Sequence, residues 1–72
     1  MTDRRRRLAD ARLYVVAPAR VAAGRFADLI PGLAAAGVDV VQLRDRSLTP
    51  DVLRDEAAAC ARAAQAAGIL FV

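Results

Sequence analysis

The residues best suited to chemistry in this sequence are a glutamine and two arginines, Gln42, Arg44 and Arg46. They alternate at i, i+2 and i+4, so on an extended backbone they share one face, about 6.6 Å apart at a rise of about 3.3 Å per residue. Guanidinium groups match phosphate oxygens with paired hydrogen bonds. The pattern therefore favours a site for phosphate or diphosphate.

The alternative is a solvated loop in which these arginines pair with Asp45 or Asp51. Spacing alone does not separate the two interpretations. Gln42 favours the binding site, because an amide that closes an apolar buried run costs free energy unless a polar partner satisfies it. We therefore expect Gln42 to face a polar cavity.

Three short apolar runs predict strands that are buried on both faces, at residues 13–17, 38–43 and 69–72. Helical segments separate them, which gives the order β-α-β-α-β and predicts an α/β fold with a parallel sheet and right-handed crossovers. No two-residue turn that would join antiparallel strands is apparent. A doubly wound sheet and a (β/α)₈ barrel both agree with this order, and both place active sites at the carboxyl ends of the strands.

The first helix is predicted from four apolar residues at helical spacing: Phe26, Leu29, Ile30 and Leu33. It follows a loop that contains Gly24, and Gly37 is placed to end it. Pro31 and Gly32 interrupt the stripe, which predicts a kink or a late helix start.

The second helix is predicted to begin with Thr49 as N-cap and Pro50 in the first turn, and to end at Gly68. One face should carry Leu53, Ala57, Cys60, Ala61 and Ala64. On that face Cys60 is expected to be a buried structural thiol, since no cation on the same face would lower its pKa.

Composition narrows the class of protein. The chain has 72 residues, 57% of them hydrophobic, with one cysteine and no histidine. An intrachain disulfide and a histidine-based triad or metal site are therefore excluded, and a reducing cytoplasm is the expected compartment. No run approaches the roughly 20 apolar residues of a membrane span, so neither a membrane partner nor a spanning helix is expected.

Residues 1–12 are predicted to be a disordered basic tail, which holds the cluster Arg4 to Arg7. Two other interpretations were weighed for this cluster. A secretory or twin-arginine signal is disfavoured because Arg12, Pro18 and Arg20 break up the following apolar run. A small basic module that binds nucleic acid is disfavoured because interleaved aromatic residues are missing, so no nucleic-acid partner is expected.

Residues 13–72 resemble the thiamine phosphate synthase family. The resemblance lies in the segment Leu13-Tyr14-Val15-Val16 and in the longer segment from Ala36 through Gln42-Leu43-Arg44-Asp45-Arg46 to Leu48. It implies that residues 13–72 are the N-terminal part of a (β/α)₈ barrel. Because such a truncated barrel leaves apolar faces uncovered, we expect the chain to be inactive alone and to self-associate.

In that family the five-residue segment binds the diphosphate of the aminopyrimidine substrate, so the resemblance assigns this role to Gln42, Leu43, Arg44, Asp45 and Arg46. Arg46 stands where the family usually has lysine. The implied reaction joins the pyrimidine methyl diphosphate to thiazole phosphate and releases diphosphate with the help of Mg²⁺. The family's magnesium ligands would follow Val72, and no catalytic or metal-binding residue is expected within the chain. A related thiazole tautomerase is the nearest rival, and Gln42 favours the synthase.

Overall fold

A computed structural model describes residues 13–21 and 24–72. The predicted tail at residues 1–12 lies outside this part of the chain. The described elements are the strands β1 (Tyr14–Ala17), β2 (Arg20–Val21), β3 (Gly24–Arg25), β4 (Val40–Leu43) and β5 (Leu70–Phe71), with the helices α1 (Phe26–Ala35) and α2 (Pro50–Ala67). The expected α/β order is confirmed.

The main sheet is parallel and has the strand order β1-β4-β5. Tyr14 lies opposite Val40, and Val40 lies opposite Leu70. The parallel pairing confirms the sequence prediction. Because the strands follow one another in chain order, the sheet grows in a single direction.

The two faces of this sheet have different environments. On one face, the strand side chains pack with α1, α2 and the adjoining segments into a cluster of buried and half-buried apolar residues. The strand residues of this cluster are Val15, Ala17, Val41, Leu43 and Phe71. The other face includes Tyr14, Val16 and Leu70, which remain 46%, 50% and 56% exposed, and also Val40, which is 2% exposed. We call the first the helix-covered face and the second the open face. The prediction of strands buried on both faces is therefore wrong for β1 and holds only for Val40 and Val41 of β4.

A short antiparallel hairpin between β1 and α1 corrects one prediction. Arg20 pairs with Arg25 and Val21 with Gly24, with residues 22–23 between them, where only a loop was expected. The sequence between Val21 and Gly24 carries no recognisable turn signal. Gly24 meets the conformational demand with φ of +134°, which a residue with a Cβ rarely adopts.

Helix α1 starts at Phe26 although Pro31 lies inside it. The predicted late start is therefore wrong. Phe26 and Ile30 are almost completely buried, and the backbone N–H of Phe26 donates to the carbonyl of Ala19 at 2.9 Å. These contacts hold the first turn and offset the cost of the proline. The helix ends as expected, with Gly37 at φ +105° after the C-cap residue Ala36.

Helix α2 confirms both predicted ends. The Thr49 side chain accepts from the N–H of Val52 at 3.4 Å, Pro50 occupies the first turn, and Gly68 closes the helix in a left-handed conformation. Cys60 and Ala64 are buried as predicted.

The predicted buried face of α2 is wrong at two positions. Ala61 is exposed and Leu53 keeps 36% exposure. The side of α2 that faces the core instead includes the half-buried Glu56, Ala59 and Ala63. Helical periodicity predicts an apolar face, but the neighbouring elements decide which residues at the edges of that face are covered.

An ion pair joins the hairpin to α2. The Arg25 Nη2 atom lies 3.0 Å from Glu56 Oε1, and the Glu56 side chain is only 12% exposed. Arg25 Nε and Glu56 Oε2 are buried and have no hydrogen-bond partner in the described part of the chain. Hydrogen bonding to Glu56 raises the pKa of the Arg25 guanidinium. The pair therefore fixes the hairpin to α2.

Candidate functional site

The candidate site lies where β4 ends. The backbone N–H of Arg44 donates to the carbonyl of Ala17 at 3.0 Å, so pairing with β1 continues one residue past the strand. Because side chains alternate along this extended stretch, Gln42 and Arg44 belong to the open face. The structure thus brings these two predicted site residues to one face at the carboxyl end of a parallel strand.

Arg46 departs from the predicted spacing. It lies in a turn after the extended backbone has ended, so the i, i+2, i+4 geometry holds only as far as Arg44. Its side chain is exposed, like that of Arg44. Within residues 13–21 and 24–72, neither guanidinium forms an ion pair. Both charges therefore remain available to an anion.

Asp45 turns away from both neighbouring arginines and organises the backbone. One carboxylate oxygen accepts from the N–H of Ala19 at 3.0 Å, and the other accepts from the N–H and the hydroxyl of Ser47 at 2.9 and 2.5 Å. These donors, the Ser47 hydroxyl first among them, lower the pKa of the Asp45 carboxyl below its ordinary value. Asp45 thus ties the loop after β4 to the segment after β1.

The pairing of the arginines with Asp45 or Asp51, which the solvated-loop alternative predicted, is wrong for the described residues, although both arginines are exposed as that alternative expects. Asp45 is occupied by Ala19 and Ser47. Asp51 contacts Arg54 at 3.4 Å instead, between exposed side chains one helical turn apart. The competing carboxylates that would have neutralised the site are both engaged elsewhere.

Ala19 connects the site to the helical layer. It is 1% exposed, its N–H is held by Asp45, and its carbonyl accepts from the N–H of Phe26 at the start of α1. Displacement of the Asp45 loop would therefore disturb the entry into α1. Sequence reasoning missed this residue, because an alanine gives no polar signal.

Gln42 has a partner that the sequence did not reveal. The hydroxyl of Tyr14 donates to Gln42 Oε1 at 2.8 Å, and Gln42 is half-buried. Leu43, the next residue, belongs to the helix-covered face and packs against the core. Of the five predicted site residues, Leu43 and Asp45 therefore have structural contacts, and the polar groups left for a ligand belong to Gln42, Arg44 and Arg46.

Cys60 lies apart from this constellation and has no hydrogen-bonded base among the described residues. Burial raises the pKa of its thiol, the Glu56 carboxylate adds to the rise, and the Arg25 guanidinium opposes it. The sequence predicted no cation on the helix face of Cys60, and the opposing charge of Arg25 comes from a different element, β3. The net rise agrees with a structural cysteine.

The described residues contain no cluster of three or more His, Cys, Asp or Glu side chains that could hold a metal ion. Asp45, the carboxylate nearest in sequence to the arginines, is engaged by backbone and hydroxyl donors. The described residues do not fit the magnesium that the resemblance implies. Neither described helix is long and apolar enough to cross a membrane.

Comparison with known proteins confirms the resemblance expected from the sequence. The chain is 42% identical over 80 residues to thiamine-phosphate synthase of Mycobacterium avium, an alignment that covers 99% of the chain and 36% of that protein. It is 47% identical over 55 residues to the enzyme of Thermobifida fusca and 51% identical over 41 residues to that of an Arthrobacter strain. The aligned stretches cover 24% and 17% of these two enzymes. No protein-family model matches the chain.

Proposed function

We propose that this chain carries the diphosphate-binding segment of a thiamine-phosphate synthase, and that Gln42, Arg44 and Arg46 bind the diphosphate of the aminopyrimidine substrate. The observation that carries the proposal is the placement of Gln42 and Arg44 on the open face at the carboxyl end of β4, with guanidinium groups not engaged by carboxylates of the described chain. The similarity to thiamine-phosphate synthases supports the reaction class.

The physical role of these residues is to stabilise charge. When the pyrimidine methyl carbon separates from diphosphate, negative charge accumulates on the departing oxygens, and fixed cationic donors lower the energy of that state. The guanidinium groups of Arg44 and Arg46 supply positive charge and several N–H donors, and the Gln42 amide supplies neutral N–H donors. Asp45 contributes by holding the loop between the two arginines.

We also propose that the described α/β fold is part of a (β/α)₈ barrel. Support comes from the strand order and from the helices: β1, β4 and β5 follow chain order, and the apolar cluster joins α1 and α2 to the same face of the sheet. Right-handed crossovers that proceed in one direction put successive helices on one face, as in a barrel, whereas a doubly wound sheet reverses direction and has helices on both faces. In a barrel the open face becomes the packed interior, and the active site lies at the carboxyl ends of the strands, which is where β4 places Gln42 and Arg44.

The other expectations from the resemblance belong to this proposal as well. They are thiazole phosphate as the second substrate, a cytoplasmic location and Mg²⁺ as the ion that assists diphosphate release. Residues beyond the described ones would have to hold that ion, and no catalytic step is assigned to it. Self-association of the chain is a further part of the proposal, since it exposes apolar side chains such as Val16 and Leu70.

Pyrophosphate binding by the 72-residue chain tests the proposal. We expect Arg44→Gln to weaken binding about tenfold, as for the loss of a charge-assisted hydrogen bond, when affinity is measured by isothermal titration calorimetry. Arg62→Gln is the matched control, because it removes the same charge from an exposed position on α2. Equal losses in both variants, or no binding by the unmodified chain, would overturn the proposed site.

A further inference from the structure

The hydrogen bond between Tyr14 and Gln42 crosses from β1 to β4 at the edge of the candidate site. It is short, at 2.8 Å between the hydroxyl oxygen and Oε1, and it links residues 28 positions apart in the chain. Val16, rather than Tyr14, is the direct neighbour of Gln42 in the strand register. The tyrosine therefore reaches diagonally along the open face to the amide.

The bond has a chemical consequence for the amide. A glutamine side chain carries an acceptor oxygen and an NH₂ donor that are almost identical in size, so shape alone does not decide which end faces a ligand. In the structure the Tyr14 hydroxyl donates a hydrogen bond to Oε1, and this arrangement directs Nε2 away from the ring. An amide turned the other way would present its acceptor oxygen, which repels the oxygens of an anion.

We infer that Tyr14 is a positioning residue: its hydroxyl fixes the Gln42 amide so that the N–H donors of Nε2, and not Oε1, are presented beside Arg44. This inference rests on the proposed diphosphate function and adds the residue that gives the amide its polarity. Tyr14 acts through Gln42 and does not itself contact the anion. Its 46% exposure leaves the ring outside the helix-covered core, so the hydroxyl can be removed without opening a buried cavity.

The chain offers an unusually clear spectroscopic test. Gln42 and Gln65 are its two glutamines and it has no asparagine, so a ¹H–¹⁵N correlation spectrum contains two pairs of side-chain NH₂ signals. Gln65 is exposed on α2 and serves as the internal control. In Tyr14→Phe we expect the Gln42 pair to shift while the Gln65 pair stays in place. Unchanged Gln42 signals would overturn the inference.

Binding measurements then test the role itself. We expect Tyr14→Phe to weaken pyrophosphate binding about fivefold, the effect of one ordinary net hydrogen bond. In a Gln42→Ala background the same change should have no further effect, because its target is gone. Equal losses in both backgrounds would refute a role exerted through Gln42.

Different outcomes would refute the proposed function and the role of Tyr14. If the unmodified chain does not bind pyrophosphate, the proposed function is refuted and the positioning role with it, whatever the amide signals show. If the unmodified chain binds and Arg44→Gln weakens binding, but Tyr14→Phe has no effect, the inference about Tyr14 alone is refuted.

Discussion

Replacing a valine on each face of the sheet by alanine tests the division into a helix-covered face and an open face. Val41 on β4 is completely buried within the apolar cluster, whereas Val16 on β1 is 50% exposed. The chemical change is the same at both positions, and both lie in strands. A difference in the free energy of unfolding therefore reports the environment rather than strand propensity.

The magnitudes follow from burial. Val41→Ala removes two methyl groups at about 0.8 kcal/mol each, or about 1.6 kcal/mol together, and adds about 1 kcal/mol for a cavity that relaxes only in part. The expected loss is about 2.5 kcal/mol. Val16→Ala removes half-exposed groups and leaves no closed cavity, so about 0.8 kcal/mol is expected. A chain of this length has a total stability of roughly 4 to 10 kcal/mol, so the first loss is a large share.

Urea unfolding followed by circular dichroism measures both losses, provided that the slope of free energy against urea is unchanged. Equal losses for the two variants would refute the assignment of the faces. A large loss for Val16→Ala that grows with protein concentration would instead show that a second copy covers the open face.

The remaining predictions concern two glycines, an aspartate and the cysteine. Gly32→Ala in α1 should raise the free energy of unfolding by about 0.5 to 1 kcal/mol, and Gly68→Ala should lower it by about 1 kcal/mol. An added Cβ meets no atom within 4 Å at either site, and of the two glycines only Gly68 has a positive φ. Thermal melts measure both changes, and a shift of the melting temperature in the same direction for both variants would refute this explanation. The lowered pKa of Asp45 contributes stability that is fully present above its ordinary value near pH 4 and is lost as pH falls through the lower folded-state value; Asp45→Asn should therefore flatten the acid side of the pH–stability curve, and the exposed Asp55→Asn should flatten it less. Cys60 should react with iodoacetamide far more slowly in the folded chain than in urea, because it is 0% exposed and its pKa is raised; equal rates would contradict its burial.

The parts of the fold that were predictable are those encoded by neighbouring residues. Helix α2 begins at Thr49-Pro50 and ends at Gly68 because of the backbone preferences of these residues themselves, so both ends can be predicted from the local sequence. The three strands were visible as apolar runs, although the strands are shorter than the runs. In contrast, the hairpin of β2 and β3 has only two residues in each strand, too few for any alternation to appear.

The residue types of the candidate site were predictable from the sequence. Which of these residues make structural contacts and which remain free for a ligand was not. Gln42 and Arg44 could be placed on one face because they lie on extended backbone, whereas the turn at Arg46 was hidden. The roles of Asp45 and Tyr14 depend on contacts that span 26 and 28 positions. No local pattern encodes such contacts, so the sequence placed Asp45 with the substrate-binding residues although its carboxylate is engaged by backbone and hydroxyl donors.

Two aspartates that flank β4 fix the register between β1 and β4. Asp39 is 7% exposed and its carboxylate accepts from the N–H of Leu13 at 3.4 Å, just before β1, while Asp45 accepts from Ala19 just after it. Both contacts span 26 positions, which is also the offset between paired residues of β1 and β4. A slip of one residue would break both contacts and would turn Gln42 into the apolar core while exposing Val41. Fidelity of strand alignment, rather than charge, is therefore what these carboxylates contribute to an anion site.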